Sequence, residues 1–313
     1  MKKQPILVIV GPTASGKTSL AIELAKIYNG EVISADSMQI YRGMDIATAK
    51  PTTHEMQGIP HHLISILDSE KSFSVADYVN LAKVKIDEVA CRGKLPIIAG
   101  GTGLYISSLI DNIMFDDTSS NSAIRERLFN EAKAFGNKFL LDKLILVDPE
   151  TASTLHENNL NRIVRALEMY EETGIRLSEH KVNSRLEESP YNSCVIGINY
   201  EDREKLYDRI NRRVDIMVEN GLVEEAREIF ENFRLKTAHQ AIGYKELIPY
   251  FEGNATFENC IETIKQQTRR YAKRQLTWFR RDSRINWIII NNFTNNNLEK
   301  IINSAKKIIE NFY

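Results

Sequence analysis

The stretch VIVGPTASGKTSL, residues 8–20, contains Gly11-x-x-x-x-Gly16-Lys17-Thr18, the complete P-loop pattern. The glycines let backbone N–H groups turn inward, and the helix that follows adds its positive end. Gly11, Pro12, Thr13, Ala14, Ser15, Gly16, Lys17 and Thr18 are therefore read as a polyphosphate seat. Lys17 supplies a point charge, and Thr18 a hydroxyl able to hold Mg²⁺. The pattern identifies the ligand and not the reaction. A kinase or ATPase also needs acidic metal ligands and a group for the attacking nucleophile. Asp36, ending GEVISAD, suits a metal ligand or a general base, and the pattern leaves both roles open.

These residues need a scaffold that brings them together. PILVIV is a buried-strand candidate leading into the glycine turn, and KTSLAIELAKIY follows with helical spacing. GEVISAD is a second strand, ADYVNLAKVKIDEVACRGK a helix, and LPIIAGGTGLYISSLI another strand, glycine turn and helix start. Strand, turn and helix in repetition predict an α/β fold, a central parallel sheet flanked by helices in a P-loop NTPase-like core. Ligands of such sheets sit at the carboxyl ends of the strands. Gly11–Thr18, Asp36 and Gly100–Tyr105 all fall there.

From about residue 116 the pattern changes. SAIRERLFNEAKAFG, NKFLLDKLILVDPETASTL and LNRIVRALEMYEETG are charged, amphipathic and without clear strands, and SCVIGINY reads as a strand again. This predicts an inserted α-helical domain over 118–190, with the core formed by 1–117 and 191–313. EDREKLYDRINRRVDIMVENGLVEEAREIF reads as helical with a break at Gly221, and the tail as an asparagine-rich turn and a last helix.

Composition narrows the class. Hydrophobic residues make up 42% of 313, enough for a full core. No apolar run reaches the roughly 18 residues of a membrane helix. The short run PILVIV feeds a glycine turn, so the beginning reads as a strand and not as a signal peptide. Lys and Arg number 41 against 42 Asp and Glu, so any nucleic-acid surface must be a local patch. Cys91, Cys194 and Cys260 are scattered and odd in number, which predicts reduced thiols in a cytoplasmic protein with no disulfide partner. His61 and His62 lack a second cluster that would make them metal ligands, and a structural role is expected.

ISADSMQIYRGMDIATAKP, PIIAGGTGLY, NRIVRALEMYEETG, AIGYKEL and TRRYAKRQLTWFRRD, together with the P-loop, resemble the tRNA dimethylallyltransferase (tRNA isopentenyltransferase) family in order and spacing, from residue 8 to about 282. The resemblance is to the bacterial type, which usually lacks a C-terminal zinc finger. It implies transfer of a dimethylallyl group from its diphosphate to N6 of the adenosine at tRNA position 37, just 3′ of the anticodon. The P-loop would then hold a leaving group. Asp36 matches the family's general base, Thr102 a threonine near the reaction centre, and Arg213 a diphosphate arginine, with the adjacent Arg212 left open. Lys17, the loop amides and Thr18 with Mg²⁺ would stabilise the departing charge.

The resemblance further implies that Ser37, Met38 and Gln39 line the adenine site, Gln39 being able to read a base edge. Asn161, Arg162 and Arg165, with Gln240, Gly243 and Lys245, would touch the anticodon arm, and Arg125 is a weaker candidate for the same surface. Residues 265–284 carry eight basic side chains against one acid, Asp282. On a helical wheel Ile264, Thr268, Tyr271, Ala272, Gln275 and Phe279 share one side. Arg269, Arg270, Lys273, Arg274, Arg280 and Arg281 share the other, a cationic strip suited to RNA phosphates. The expected partners are dimethylallyl diphosphate and a tRNA anticodon arm, with no membrane, and the protein acting as a monomer. Three rivals remain at this level: transfer to a free adenine nucleotide, a P-loop small-molecule kinase, and a non-enzymatic RNA binder. The strip argues against the first two, and the intact Gly16-Lys17-Thr18 with Asp36 against the third.

Overall fold

The computed structural model describes residues 3–115, 122–184, 187–231, 241–291, 293 and 295–313. The chain forms two compact units, 1–110 with 190–313, and 111–189. The first half of unit one contains strands β1 (Gln4–Val10), β2 (Gly30–Ala35), β3 (His61–His62) and β4 (Leu95–Gly100), with helices α1 (Lys17–Ile27), α2 (Thr53–Met56), α3 (Val75–Cys91) and α4 (Gly103–Ile110). The second unit holds α5 (Ser122–Phe135), α6 (Asn137–Val147), α7 (Pro149–Ser153), α8 (Leu160–Thr173) and α9 (Leu177–Asn183). The chain then returns through β5 (Tyr191–Tyr200), α10 (Arg203–Glu219), α11 (Leu222–Glu231), α12 (Ile248–Phe251), α13 (Phe257–Phe279), β6 (Ile285–Ile290) and α14 (Asn295–Phe312).

The six strands of the described residues lie in one parallel sheet in the order β3-β2-β4-β1-β5-β6. The apolar runs that made β1, β2 and β4 recognisable follow from helices covering both faces of a parallel sheet. Leu7, Ile9, Ile97, Ile196 and Ile198 pack with Leu20 and Leu24 of α1 and Ile301 and Ala305 of α14. Ile6 and Val8, pointing the other way by the pleat, are equally buried. INWIII, which the sequence reading left without an element, forms β6 and pairs with β5 from Val195↔Ile285 to Tyr200↔Ile290.

Register sets the site. Ala35 is paired with Gly100, Ile9 with Ala99, and Val10 with Gly197, so β1, β2 and β4 end on the same sheet edge. The P-loop, Asp36 and Thr102 follow those three ends directly. The histidine pair forms the outermost strand, β3, paired with Val32 and Ile33 in the middle of β2. His62 Nε2 lies 2.7 Å from Glu31 Oε2, and Glu31 also takes Arg92 and Lys94. These hydrogen bonds hold the Glu31 carboxyl down at about 2 against the opposing effect of burial. Among the described residues no group of three or more His, Cys, Asp or Glu is arranged for a metal, and no helix is long and apolar enough to cross a membrane. The three cysteines are free thiols.

Unit two has its own core of Leu128, Leu140, Leu144, Ile163, Val164 and Leu167. Asp148 separates α6 from α7: one carboxylate oxygen caps α7 through Thr151 N–H and the other takes Ser178 N–H. Asn161 and Arg162 are exposed on the first turn of α8. Arg165 reaches the fully buried Glu168 at 3.2 Å.

Candidate active site

Within the seat formed by residues 11–18, Ser15 N–H and Lys17 Nζ donate to Pro12 O at 3.3 and 2.6 Å, and the first amides of the following helix are left for a ligand. Gly16 stands at the N-cap of α1 with φ +94°, no side chain caps the helix, and no acidic residue sits in its first turn. The first amides of a helix have no partners within it, so these face the loop. A Cβ on Gly16 would lie 2.0 Å from the Phe293 ring, so glycine is required for space as well as conformation. Arg209 braces that ring, its guanidinium 4.6 Å from the ring centroid and donating to the Phe293 carbonyl at 2.9 Å. Ser15 Oγ is buried without a hydrogen-bond partner among the described residues, an acceptor or donor held ready in a polar cradle.

The loop opens into a cavity of about 330 Å³. Thr13, Lys17, Thr18 and Arg213 line one end, with Asp36, Ser37, Met38 and Gln39 beside them. Ile210, Val214, Met217, Leu222 and Ile264 supply an apolar wall, and Gly243, Lys245, Tyr271 and Arg274 complete the lining. Gln240 lies outside the described residues. Arg213 Nη1 donates to Thr13 Oγ1 at 3.2 Å and lines the cavity, whereas Arg212 is exposed and does not, so the arginine facing the phosphate seat is Arg213.

Asp36 Oδ1 accepts the amides of Met38 at 2.9 Å and Gln39 at 3.3 Å, which fixes the carboxylate at the end of β2. No hydrogen bond to Oδ2 is formed among the described residues. Thr102 precedes α4, and its carbonyl takes Ile106 N–H as an N-cap residue's does. Its hydroxyl accepts Ser37 N–H at 3.1 Å instead of capping the helix, tying the β2 and β4 turns together. Gln39 Nε2 donates to the carbonyls of Thr48 and Ala49, and its Oε1 accepts from Ser34. Its amide is thus occupied by the protein.

Gln275 is a site residue that the wheel placed only on the packed face. It is 6% exposed, its Oε1 accepts Thr13 N–H at 2.8 Å, and its Nε2 donates to Gly101 O at 3.0 Å. One side chain of α13 thereby joins the P-loop to the β4 turn. A Cβ on Gly101 would lie 2.1 Å from that Nε2, which explains the double glycine. The sequence signal was a glutamine in line with buried apolar positions. The cationic strip is narrower than the wheel suggested. Arg269 turns inward to Asn211 at 2.6 Å and Glu262 at 3.2 Å, and Lys265 pairs with Asp215. Arg270, Lys273, Arg274, Arg280 and Arg281 remain exposed.

Electrostatics suit the site to an anion. Lys17 is lowered to about 7, first by desolvation in the cavity wall and then by Arg213, with Asp36 opposing. Burial and Arg209 lower Arg213 as well. A bound polyphosphate favours protonated Lys17 and raises its pKa again. Binding therefore takes up a proton above pH 7, and affinity falls as pH rises from 7 to 9, where free Lys17 is neutral. Calorimetry of methyl diphosphate binding at pH 8, where that monoester is fully ionised, in buffers of different ionisation enthalpy should register that uptake, approaching one proton per site; none would mean Lys17 is charged already. Magnesium fits this donor set. Mg²⁺ commonly uses one or two protein ligands and completes its shell with phosphates and water, and Thr18, exposed at the mouth of the seat, offers the hydroxyl.

Comparison with known proteins agrees with this construction. A family model described as IPP transferase matches residues 39–282. A tRNA dimethylallyltransferase of Acetivibrio thermocellus is 50% identical over 309 residues, covering 98% of each chain, and one of Bacillus subtilis is 50% identical over 286 residues, 91% of this chain and 90% of the relative. A crystal structure of a full-length tRNA isopentenylpyrophosphate transferase from Bacillus halodurans aligns with TM-score 0.72 at 45% identity over 99% of this chain and 98% of that one. A eukaryotic dimethylallyltransferase acting on tRNA aligns with TM-score 0.83 at 30% identity, over 98% of this chain and 80% of that one. Shared sequence across nearly the whole length, on a shared fold, places the chain in the IPP transferase family.

Proposed function

We propose that the protein transfers the dimethylallyl group of dimethylallyl diphosphate to N6 of adenosine 37 in tRNA and releases diphosphate. The observation that carries this reading is the single cavity joining a phosphate seat, a carboxylate and an apolar wall. The diphosphate lies on the P-loop amides, Lys17 and Arg213, and the five-carbon group lies toward Val214, Met217 and Leu222. Adenine N6 is a poor nucleophile because its lone pair is delocalised into the ring. As the N6–C1 bond forms and the allylic C–O bond breaks, Asp36 accepts the N6 proton and the electron pair leaves with diphosphate. Lys17, Arg213 and the α1 amides meet that growing charge. Thr18 would hold Mg²⁺, which would supply further neutralisation of the diphosphate. Thr102 fixes the Ser37 backbone beside the base.

A base in an anticodon loop must leave its stack to reach such a cavity. Arg270, Lys273, Arg274 and Arg280 give the RNA backbone a track, and Asn161, Arg162, Arg165 and Arg125 of the helical unit offer further contacts. A tRNA substrate supports a cytoplasmic location. The reading is tested by offering radiolabelled dimethylallyl diphosphate and Mg²⁺ to unmodified tRNA and AMP side by side, without ATP. Label in tRNA alone is expected. Label in AMP would move the function to free-nucleotide prenylation, and label in neither would return the P-loop to phosphoryl transfer.

A further inference from the structure

Residues 44–49 form a loop outside any helix or strand, and Ala47, Thr48 and Ala49 of it line the cavity. Three successive amides of this loop converge on one carboxylate. Glu225, in the first turn of α11, accepts Asp45 N–H at 2.8 Å, Ile46 N–H at 2.9 and 3.1 Å, and Ala47 N–H at 3.0 Å. It also accepts the Tyr244 hydroxyl at 2.7 Å. Consecutive amides curled around an anion make a nest, and charge-assisted bonds of this kind are roughly twice as strong as neutral ones. Tyr244 belongs to the turn that carries Gly243 and Lys245 into the cavity, and a Cβ on Gly243 would stand 2.9 Å from Ala47.

The other side of the loop faces the reaction. The carbonyls of Thr48 and Ala49 hold Gln39 Nε2 at 3.2 and 3.3 Å, and Arg213 Nη2 is 3.5 Å from Ala49 O. The loop is thus clamped from behind by Glu225 and presents acceptors in front to the arginine at the phosphate seat and to a residue beside Asp36. We propose that Glu225 is a positioning residue for prenyl transfer, holding loop 44–49 so that Gln39 and Arg213 keep their places. This rests on the transfer reading for its effect on rate. The clamp itself does not.

Glu225→Gln tests both levels in the full-length protein. A carboxamide has one acceptor oxygen and an NH₂ group that repels the surrounding N–H donors, so the nest opens. Hydrogen exchange at residues 45–47 should accelerate strongly, while Glu228→Gln, an exposed change on the same helix, leaves it unchanged. In the transfer assay kcat should fall by about 10²-fold, as for a displacement near 1 Å, with the KM for dimethylallyl diphosphate held within about twofold. Because Glu225 acts through the loop, Glu225→Gln and Gln39→Ala should be non-additive, the double variant being hardly slower than the slower single. Tyr244→Phe is the milder variant if Glu225→Gln does not fold; it keeps the charge, and a kcat loss of about threefold is expected from one lost hydrogen bond. Unchanged exchange at 45–47, or losses that multiply in the double variant, would overturn the proposal. Should the parent protein transfer no label to tRNA, the functional reading fails and hydrogen exchange alone decides the clamp.

Discussion

Asp36→Ala is expected to lower the rate of transfer by about 10²–10⁴-fold, the usual contribution of a positioned general base. That is about 3–5 kcal/mol of barrier. The affinity for tRNA should change little, because the RNA track lies on other side chains. Asp36→Asn is the sharper variant. It preserves the acceptor that takes the Met38 and Gln39 amides, so the β2 turn stays folded, and it removes only the capacity to take a proton. Single-turnover label transfer with tRNA in excess reads the chemical step. Were both variants to transfer at the parental rate, the base would have to be sought elsewhere in the cavity. A loss confined to Asp36→Ala would make the aspartate a turn residue.

The reason the sequence leads to this residue is topological. In a parallel sheet the strand ends converge, so motifs placed after β1, β2 and β4 had to meet once those strands were recognised. Their apolar runs made that possible. β6 escaped because INWIII follows a helix whose charge dominates the local composition, although its branched residues carry the usual strand signal. Other parts of the site could not be read at all. Glu225 lies 180 residues from Asp45, and Gln275 262 residues from Thr13, and no spacing rule links them. Gln39 shows the opposite limit. Its type suggested base reading, but its amide is occupied by the carbonyls of a loop that only folding brings near. Arg269 looked like a member of the strip and instead bridges to α10, because its place on the helix flank adjoins Asn211.

Arg213→Ala is expected to cost about 10²–10³-fold in kcat, as removal of one preorganised donor to a developing oxyanion does, whereas Arg212→Ala should stay within about threefold. The two side chains differ only in helical phase. Leu206, Ile210, Arg213 and Met217 follow the i, i+4, i+7, i+11 spacing of one α10 face, so the arginine in register with the apolar stripe is carried into the cavity and its neighbour into solvent. The loss should fall on kcat more than on the KM for dimethylallyl diphosphate, because charge on the diphosphate grows as the C–O bond breaks. Arg213→Lys should recover only part of the rate: it restores the charge and not the planar fork that reaches Thr13 and Ala49 together. Equal losses in the Arg212 and Arg213 variants would mean that a diffuse positive field suffices. A loss in Arg212→Ala alone would require α10 to turn on binding substrate and bring the other arginine to the diphosphate.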